Sequence, residues 1–378
     1  MSGNAGSLTI GIDASRASTE RPSGTERYSR RIIEELIDQG VDQRFRLYLN
    51  QRQPLDLPQR ASTSQRLIPF PRLWTHLRLS TELAIHPIDV LFIPAHVVPP
   101  VHPRATVVTI HDLGYLHEPD AHTDWSRRYL DWSTRWSVRA ARHVIAISDT
   151  TKEDLIERYR VPAERISVVY HGIDERFQPK GDAETVRARG RLRLEADERF
   201  ILFVGTLQPR KNLVRLIEAF ETIADDDPDL NLVLAGRRGW KFDAIEHALA
   251  TSRHRARILL PGHVPDVDLP ALYSSATVVV LISLYEGFGL PALEAMACGA
   301  PVLVSDRGSL PEITGDAAVI VDPLDANAIV AGLRLLLDPA NRSRRVEHGR
   351  QHASRFTWHQ SGRDTLEILI NAYSLRKG

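Results

Sequence analysis

Two α/β domains, each built on a doubly wound parallel sheet and facing one another across a central cleft, are the fold class this sequence predicts. Three observations carry that expectation. A chain of 378 residues exceeds what one ordinary core organises and divides into two units of roughly 150 to 200 residues. Short β-branched runs alternate with segments of helical period along the whole length, as strands joined by crossover helices do. Midway, FQPKGDAETVRARGRLRLEADE (177–198) is charged, contains Pro and Gly and lacks β-formers, which suits a linker holding a helix. The first domain is therefore expected to end at 176 and the second to begin at 177.

Taken in order, the first-half strands are LTIGIDA (8–14), RFRLYL (44–49), VLFIPA (90–95), TVVTIHD (106–112), HVIAIS (143–148) and ISVVYHG (166–172). Those of the second half are RFILFVGT (199–206), NLVLAG (231–236), RILLPG (257–262), TVVVLIS (277–283), PVLVSD (301–306) and AAVIVD (317–322). The last segment, FTWHQSGRDTLEILINAYSL (356–375), has helical spacing and no strand after it. Ligands of doubly wound sheets bind beyond the carboxyl ends of the strands, so functional residues are sought there.

Composition removes several function classes. Lysine plus arginine equals aspartate plus glutamate at 48 each, so no global field favours nucleic acid or an anionic membrane, and any anion site is local. Cys298 stands alone, which excludes an intramolecular disulfide and a cysteine zinc cluster and fits a reducing cytosol. MSGNAGSLTIGID lacks the features of a signal peptide, and no stretch reaches about 18 apolar residues. A cytoplasmic protein is expected, with peripheral membrane contact kept open by RLIPFPRLWTHLRL (66–79). That stretch reads first as an ordinary loop and half-buried helix, second as an amphipathic surface. In HTDWSRRYLDWSTRWSVRAARH, Trp125, Trp132 and Trp136 are expected on a buried helix face with the arginines reaching outward. Lining an acceptor surface or a membrane face is the second reading.

The chemistry is concentrated after two strands of the second half. VGTLQPRKN (204–212) follows the first of them and opens the helix LVRLIEAF, so Arg210, Lys211, exposed amides and a positive dipole end converge on one spot. This reads first as an anion site suited to phosphate and second as a solvated basic turn. SLYEGFGLPALEAMACGAPVLVSD follows TVVVLIS. Gly287 and Gly289 let amides approach a ligand, and Pro291 suits a first helical turn. Glu286 then sits before the helix and Glu294 about a turn inside it, two carboxylates toward one cleft. Paired acids fit glycosidase chemistry, but they also fit acceptors for sugar and ribose hydroxyls. Arg210 and Lys211 favour the second, since a simple glycoside carries no diphosphate to neutralise.

EGFGLPALEAMACGAPVLVSD together with GTLQPRKN resembles the retaining glycosyltransferases of family 4 over nearly the whole chain, with Glu286 and Glu294 in the family's Glu-x7-Glu register. The resemblance implies the GT-B fold of two Rossmann-like domains. It places domain two at 177–356 and implies that 357–378 returns as a helix to domain one. It further implies that Glu286 holds donor sugar hydroxyls, that Glu294 holds the ribose, and that the turn Gly287-Phe288-Gly289-Leu290 meets sugar or diphosphate. Many members carry Gly-Arg-Leu after the first strand of this domain; here Gly205-Thr206-Leu207 stands there. Thr206 is kept as a donor-side residue, and the missing guanidinium is assigned to Arg210 as in a known variant of the family.

The first half offers fainter candidates. Ser23, Gly24 and Thr25 precede a helix and resemble the family's glycine-rich first loop, with a plain N-cap as the alternative. His111 and Asp112 end a strand, and His111 resembles the family histidine near the donor sugar. Ser148 reads equally as an acceptor-side residue or an N-cap. Asp225-Asp226-Asp227 and Asp266-Val267-Asp268 mimic metal motifs, but the first lies at the wrong end of its strand and the second serves better as an N-cap. No metal and no cofactor beyond the sugar nucleotide is expected.

The expected activity is therefore retaining transfer of a hexosyl unit from a nucleoside diphosphate sugar to an acceptor hydroxyl on a glycan or lipid-linked glycan. GDP-mannose is the first choice of donor, because the Gly-Thr-Leu-x-Pro-Arg-Lys-Asn variant looks most like mannosyl- or rhamnosyl-type transferases of polysaccharide assembly. A UDP-sugar is the second. A non-catalytic sugar-nucleotide-binding subunit is the rival from another class. A dinucleotide oxidoreductase is set aside, because GIDASRAS and GTLQPRKN stand where a G-x-G-x-x-G turn belongs.

Overall fold

A computed structural model describes residues 7–18, 24–57, 60–95, 97–117, 123–195 and 198–374. The described chain forms two compact units. One comprises the described parts of Met1–Leu113, Thr123–Gly172 and Thr357–Gly378; the other comprises Ile173–Phe356 with Gly114–His117. The break falls at 172/173 rather than 176/177, and the Gly114–His117 turn joins the second unit, against the expected division.

The first unit holds β1 (Thr9–Asp13), β2 (Arg44–Leu49), β3 (Thr63–Leu67), β4 (Val90–Ile93), β5 (Ala105–Ile110), β6 (His143–Ala146) and β7 (Ile166–Val168) in the order β3-β2-β1-β4-β5-β6-β7. Every pairing is parallel. Central strands are apolar throughout, because helices cover both faces of a parallel sheet; β4 and β5 are buried at every residue. The helix Gly24–Gln39 buries Tyr28, Ile32, Ile33, Leu36 and Ile37 on one face. The final helix, Trp358–Ser374, contributes Trp358, Leu369 and Ala372 to the same core. It is drawn close at Gly362, where a Cβ would lie 2.6 Å from atoms of Glu35 and Gln39.

The second unit holds β8 (Arg199–Val204), β9 (Leu230–Ala235), β10 (Ile258–Gly262), β11 (Val278–Leu281), β12 (Val302–Ser305) and β13 (Val319–Val321), again all parallel, in the order β10-β9-β8-β11-β12-β13. From β8 the chain winds outward to β9 and β10, then returns to β11 on the other side. The two neighbours β8 and β11 therefore flank the switch point, where loops leaving adjacent carboxyl ends diverge and open a crevice. Phe203, Leu216, Ile217, Phe220, Leu232 and Val280 fill the core behind it. The expected helix of the linker is Asp182–Arg191.

In the first unit a buried histidine couples the fold to pH. His171 is 3% exposed, stacks on Tyr28 at 4.7 Å and lies 5.9 Å from Trp358. Burial, and then His111 close by, hold it well below its ordinary value of 6.5. The unfolded chain thus takes up a proton near pH 6.5 that the folded chain refuses. The stability this residue contributes is complete above that pH and declines as pH falls. The unfolding temperature is expected to drop between about pH 7 and pH 5.5, and to drop less in a His171→Phe variant. Equal slopes in calorimetric scans of the two proteins would refute the assignment.

Candidate functional site

Beyond β8 the chain passes Gly205, exposed Thr206 and buried Leu207, then makes one 3₁₀ turn over Pro209–Lys211. Asn212 takes the left-handed conformation at φ 57° and anchors its side chain on the Pro323 carbonyl at 2.7 Å. The helix Leu213–Ala224 starts immediately after. Arg210 and Lys211 therefore stand on a separate turn just before the helix. Beyond β11 come Ser283 and Glu286, then Gly289 at φ 103°, which no side-chain-bearing residue adopts readily, and the helix Leu290–Ala297 with Pro291 in its first turn. The two loops are joined by Leu284 N donating to Arg210 O at 2.8 Å.

The side chains meet as well. Lys211 Nζ donates to Glu286 Oε1, Arg210 Nη1 lies 3.3 Å from Glu286 Oε2, and Ser283 Oγ donates to Oε1 at 2.6 Å. Arg210 Nη1 also reaches the Tyr285 carbonyl at 2.5 Å. Glu286 is only 8% exposed, so burial by itself would favour its neutral form. Lys211 and then Arg210 overcome that burial and hold the carboxyl down at about 2. The pair is thus fully ionised across the physiological range. Its contribution to stability is fully present above 4.5 and is lost progressively as pH falls from there to about 2.

The Glu286 backbone is clamped from behind. Ser309 N donates to Glu286 O at 3.0 Å, and the Ser309 hydroxyl lies 3.0 and 2.9 Å from the carbonyls of Glu286 and Phe288. Gly308, at φ 59°, lets this approach happen, since a Cβ there would fall 2.5 Å from Glu286 O. Phe288 and Gly287 are buried, while Leu290 is half-buried. Glu294, one turn into its helix and 6% exposed, accepts from Tyr273 OH at 3.1 Å. Burial, and then the Glu294 charge, push the Cys298 thiol up to about 12, so it is no nucleophile.

In the first unit, His111 follows β5 and is 7% exposed, its Nε2 2.8 Å from the Pro94 carbonyl beyond β4. A carbonyl accepts only, so Nε2 carries the proton. Tyr28 meets the ring edge-on at 4.7 Å and is itself held by Thr109 Oγ1 at 3.1 Å. Asp112 beside it is exposed. Ser148 is wholly buried and caps the helix Asp149–Tyr159, accepting from Thr151 N at 3.1 Å and donating to Thr151 Oγ1 at 3.0 Å. The N-cap half of its double reading is what the geometry supports. Gly24 and Thr25 open the first helix, and among the described residues no atom lies within 4 Å of where a Gly24 Cβ would stand; Ser23 lies outside the described residues.

Both acidic motifs are engaged by arginines. Asp225, Asp226 and Asp227 pair with Arg253, Arg334 and Arg199 respectively. Asp268 occupies the N-cap position, but its side chain pairs with Arg191 and makes no capping bond. Among the described residues no group of three or more His, Cys, Asp or Glu side chains is placed to hold a metal ion. Ser283, Ser309 and Tyr273, which hold the two glutamates, are not among the residues that the sequence singles out. A serine at a strand's carboxyl end beside an acidic loop is the signal that would have found the first.

The profile described as "Glycosyltransferase Family 4" matches residues 22–177, and that described as "Glycosyl transferases group 1" matches residues 186–352. O-antigen chain mannosyltransferase B of Escherichia coli is 35% identical over 71% of this chain and 70% of its own length. D-inositol 3-phosphate glycosyltransferase of Salinispora tropica is 36% identical over 62% of this chain, which spans only 52% of that relative. Sucrose-phosphate synthase from Thermosynechococcus elongatus has the same fold at TM-score 0.77 and 22% identity, covering 97% of this chain and 100% of that one. Anabaena HepE, solved with UDP and glucose, gives 0.73 at 18% identity over 97% and 100%. Two parallel α/β units with these relatives define a GT-B glycosyltransferase. Within that class, the chain belongs to glycosyltransferase family 4.

Proposed function

We propose that this enzyme moves a hexosyl unit, with mannosyl as first choice, from a nucleoside diphosphate sugar to an acceptor hydroxyl on a glycan or lipid-linked glycan, retaining the anomeric configuration and using no metal. The convergence of Arg210, Lys211 and Glu286 at the β8/β11 switch point carries this reading. The relationship to a mannosyltransferase of O-antigen assembly favours GDP-mannose. In the reaction the acceptor oxygen bonds to the anomeric carbon on the face that the diphosphate leaves. The anomeric C–O bond breaks, and the departing phosphate oxygen takes the acceptor proton. Arg210, Lys211 and the loop amides carry the charge that builds on the diphosphate. Glu286 orients the cations and faces sugar hydroxyls, and Glu294 faces the ribose. The enzyme acts in the cytoplasm, where a lone, buried Cys298 is at home.

His111 positions and polarises. Its Nε2 is committed to the Pro94 carbonyl, which fixes the orientation of the ring. His111→Ala is expected to lower kcat about 100-fold while changing the dissociation constant of bare nucleoside diphosphate little. Normal turnover by that variant would remove the role.

The function itself is tested by following nucleotide release from a donor panel alongside thermal-shift titrations with GDP, UDP and dTDP. GDP is expected to raise the unfolding temperature most and GDP-mannose to be consumed, because a ligand bound only by the native state stabilises in proportion to its affinity. A larger shift with UDP would reassign the donor. Shifts without release from any donor would mark a binding subunit and sink the catalytic reading.

A further inference from the structure

The helix Asp124–Ala140 was expected to bury its tryptophans, and it does the reverse. Its buried residues are Ser133, Thr134, Ser137 and Val138, while Trp125 is 80%, Tyr129 43%, Trp132 54% and Trp136 36% exposed. Small side chains let the helix lie close to the unit, with Val98 N donating to Ser137 Oγ at 3.1 Å. At about 100° per residue the four aromatics fall within about 60° of one another, a stripe roughly 16 Å long. They are not loose, since Trp136 Nε1 donates to Val98 O at 2.9 Å and Tyr129 lies 6.2 Å from Trp132. The stripe continues onto a neighbouring segment. His76 meets Trp132 at 6.3 Å, and on either side of it Leu73 and Leu77 are 62% and 52% exposed.

Charge surrounds the apolar surface on one side. Arg128, Arg135 and Arg139 are exposed, and by the same angular count they flank the aromatic stripe on a single edge. The helix carries four arginines against two aspartates, and Asp131 is drawn to Arg135 and Tyr159 OH at 3.2 and 2.8 Å. In a chain whose charges balance overall, this is a local cationic edge beside exposed indoles.

We infer that this face of the first unit docks on an anionic lipid bilayer, with the indole and phenol rings at the headgroup level and the arginines on lipid phosphates. Rings of this kind partition to the membrane interface, and a basic edge adds attraction to anionic lipid. No helix among the described residues is long and apolar enough to cross a membrane. The inference stands on the surface of the first unit alone and does not depend on the donor or on the transfer reading.

Vesicle sedimentation with the full chain tests it, comparing phosphatidylcholine alone with phosphatidylcholine containing about a third phosphatidylglycerol. Wild type is expected to bind the anionic vesicles with a blue shift of tryptophan emission, and the neutral ones at least about tenfold more weakly. Trp125→Ala/Trp132→Ala is expected to lose about tenfold in anionic-vesicle affinity or more, as is Arg128→Gln/Arg139→Gln at low salt. All four positions are exposed, and unchanged unfolding temperatures confirm that the fold survives. Absence of wild-type binding, equal binding to both vesicle types, or variants that bind as wild type does would each overturn the proposal. So would concentration-dependent dimerisation abolished by the tryptophan variant, which would assign the face to a second copy of the chain.

Discussion

Glu286→Gln is expected to lose at least about 100-fold in transfer rate while binding bare nucleoside diphosphate as well as, or better than, the wild type. The sign of the second effect follows from the contacts. Glu286 is engaged by Lys211, Arg210 and the Ser283 hydroxyl, so an incoming diphosphate competes with a carboxylate for the same two cations. Glutamine keeps the shape and an acceptor for Ser283 but removes the charge, and the competition with it. The ligand-free variant should be less stable. Holding the carboxyl at about 2 instead of 4.5 corresponds to about 3 kcal/mol, the scale expected for breaking a buried ion pair. Bare diphosphate should therefore raise the unfolding temperature of the variant more than that of the wild type, because it restores a negative partner. Titration calorimetry and initial rates on the same preparations decide the matter. A nucleotide affinity that falls in step with the rate would show that Glu286 does not oppose the anion.

The strands that position this site were legible, and the reason is physical. β1, β4, β5, β8, β9, β11 and β12 lie inside their sheets, so burial on both faces writes them as continuous apolar runs. β3 was missed because it is an edge strand. Thr63-Ser64-Gln65-Arg66-Leu67 pairs on one side only and is largely exposed, so nothing required it to be apolar. The tryptophans misled for the opposite reason. Size and apolarity predict burial, but the face that packs is set by what fits, and here Ser133, Thr134 and Ser137 fit. At the site, residue types were readable and partners were not. Glu286 and Lys211 are 75 positions apart, and periodicity carries no information about contacts made through the order of strands. They were consequently given separate duties, when the folded chain makes each the counter-ion of the other.

The second large effect concerns the cations. Lys211→Ala and Arg210→Ala are each expected to lower kcat/KM by about 100- to 1,000-fold, since each removes a donor from the place where diphosphate charge develops. The two losses should not multiply. Both side chains grip Glu286, on different oxygens, and both would meet the same anion, so the double variant should fall short of the product of the single ones. The single variants differ in stability. Lys211 is the larger of the two charges that hold Glu286 down, and its removal leaves a nearly buried carboxylate with Arg210 at 3.3 Å and the Ser283 hydroxyl. Burial then regains ground, and the Glu286 pKa rises from about 2. The wild-type contribution is lost progressively as pH falls from 4.5 to about 2; in Lys211→Ala it should be smaller and its loss complete at a higher pH, and the change should be smaller in Arg210→Ala. Acid unfolding curves of the three proteins measure this directly. Identical acid midpoints would mean that Glu286 draws its charge from elsewhere, and strictly multiplicative rate losses would mean that the two cations serve different groups.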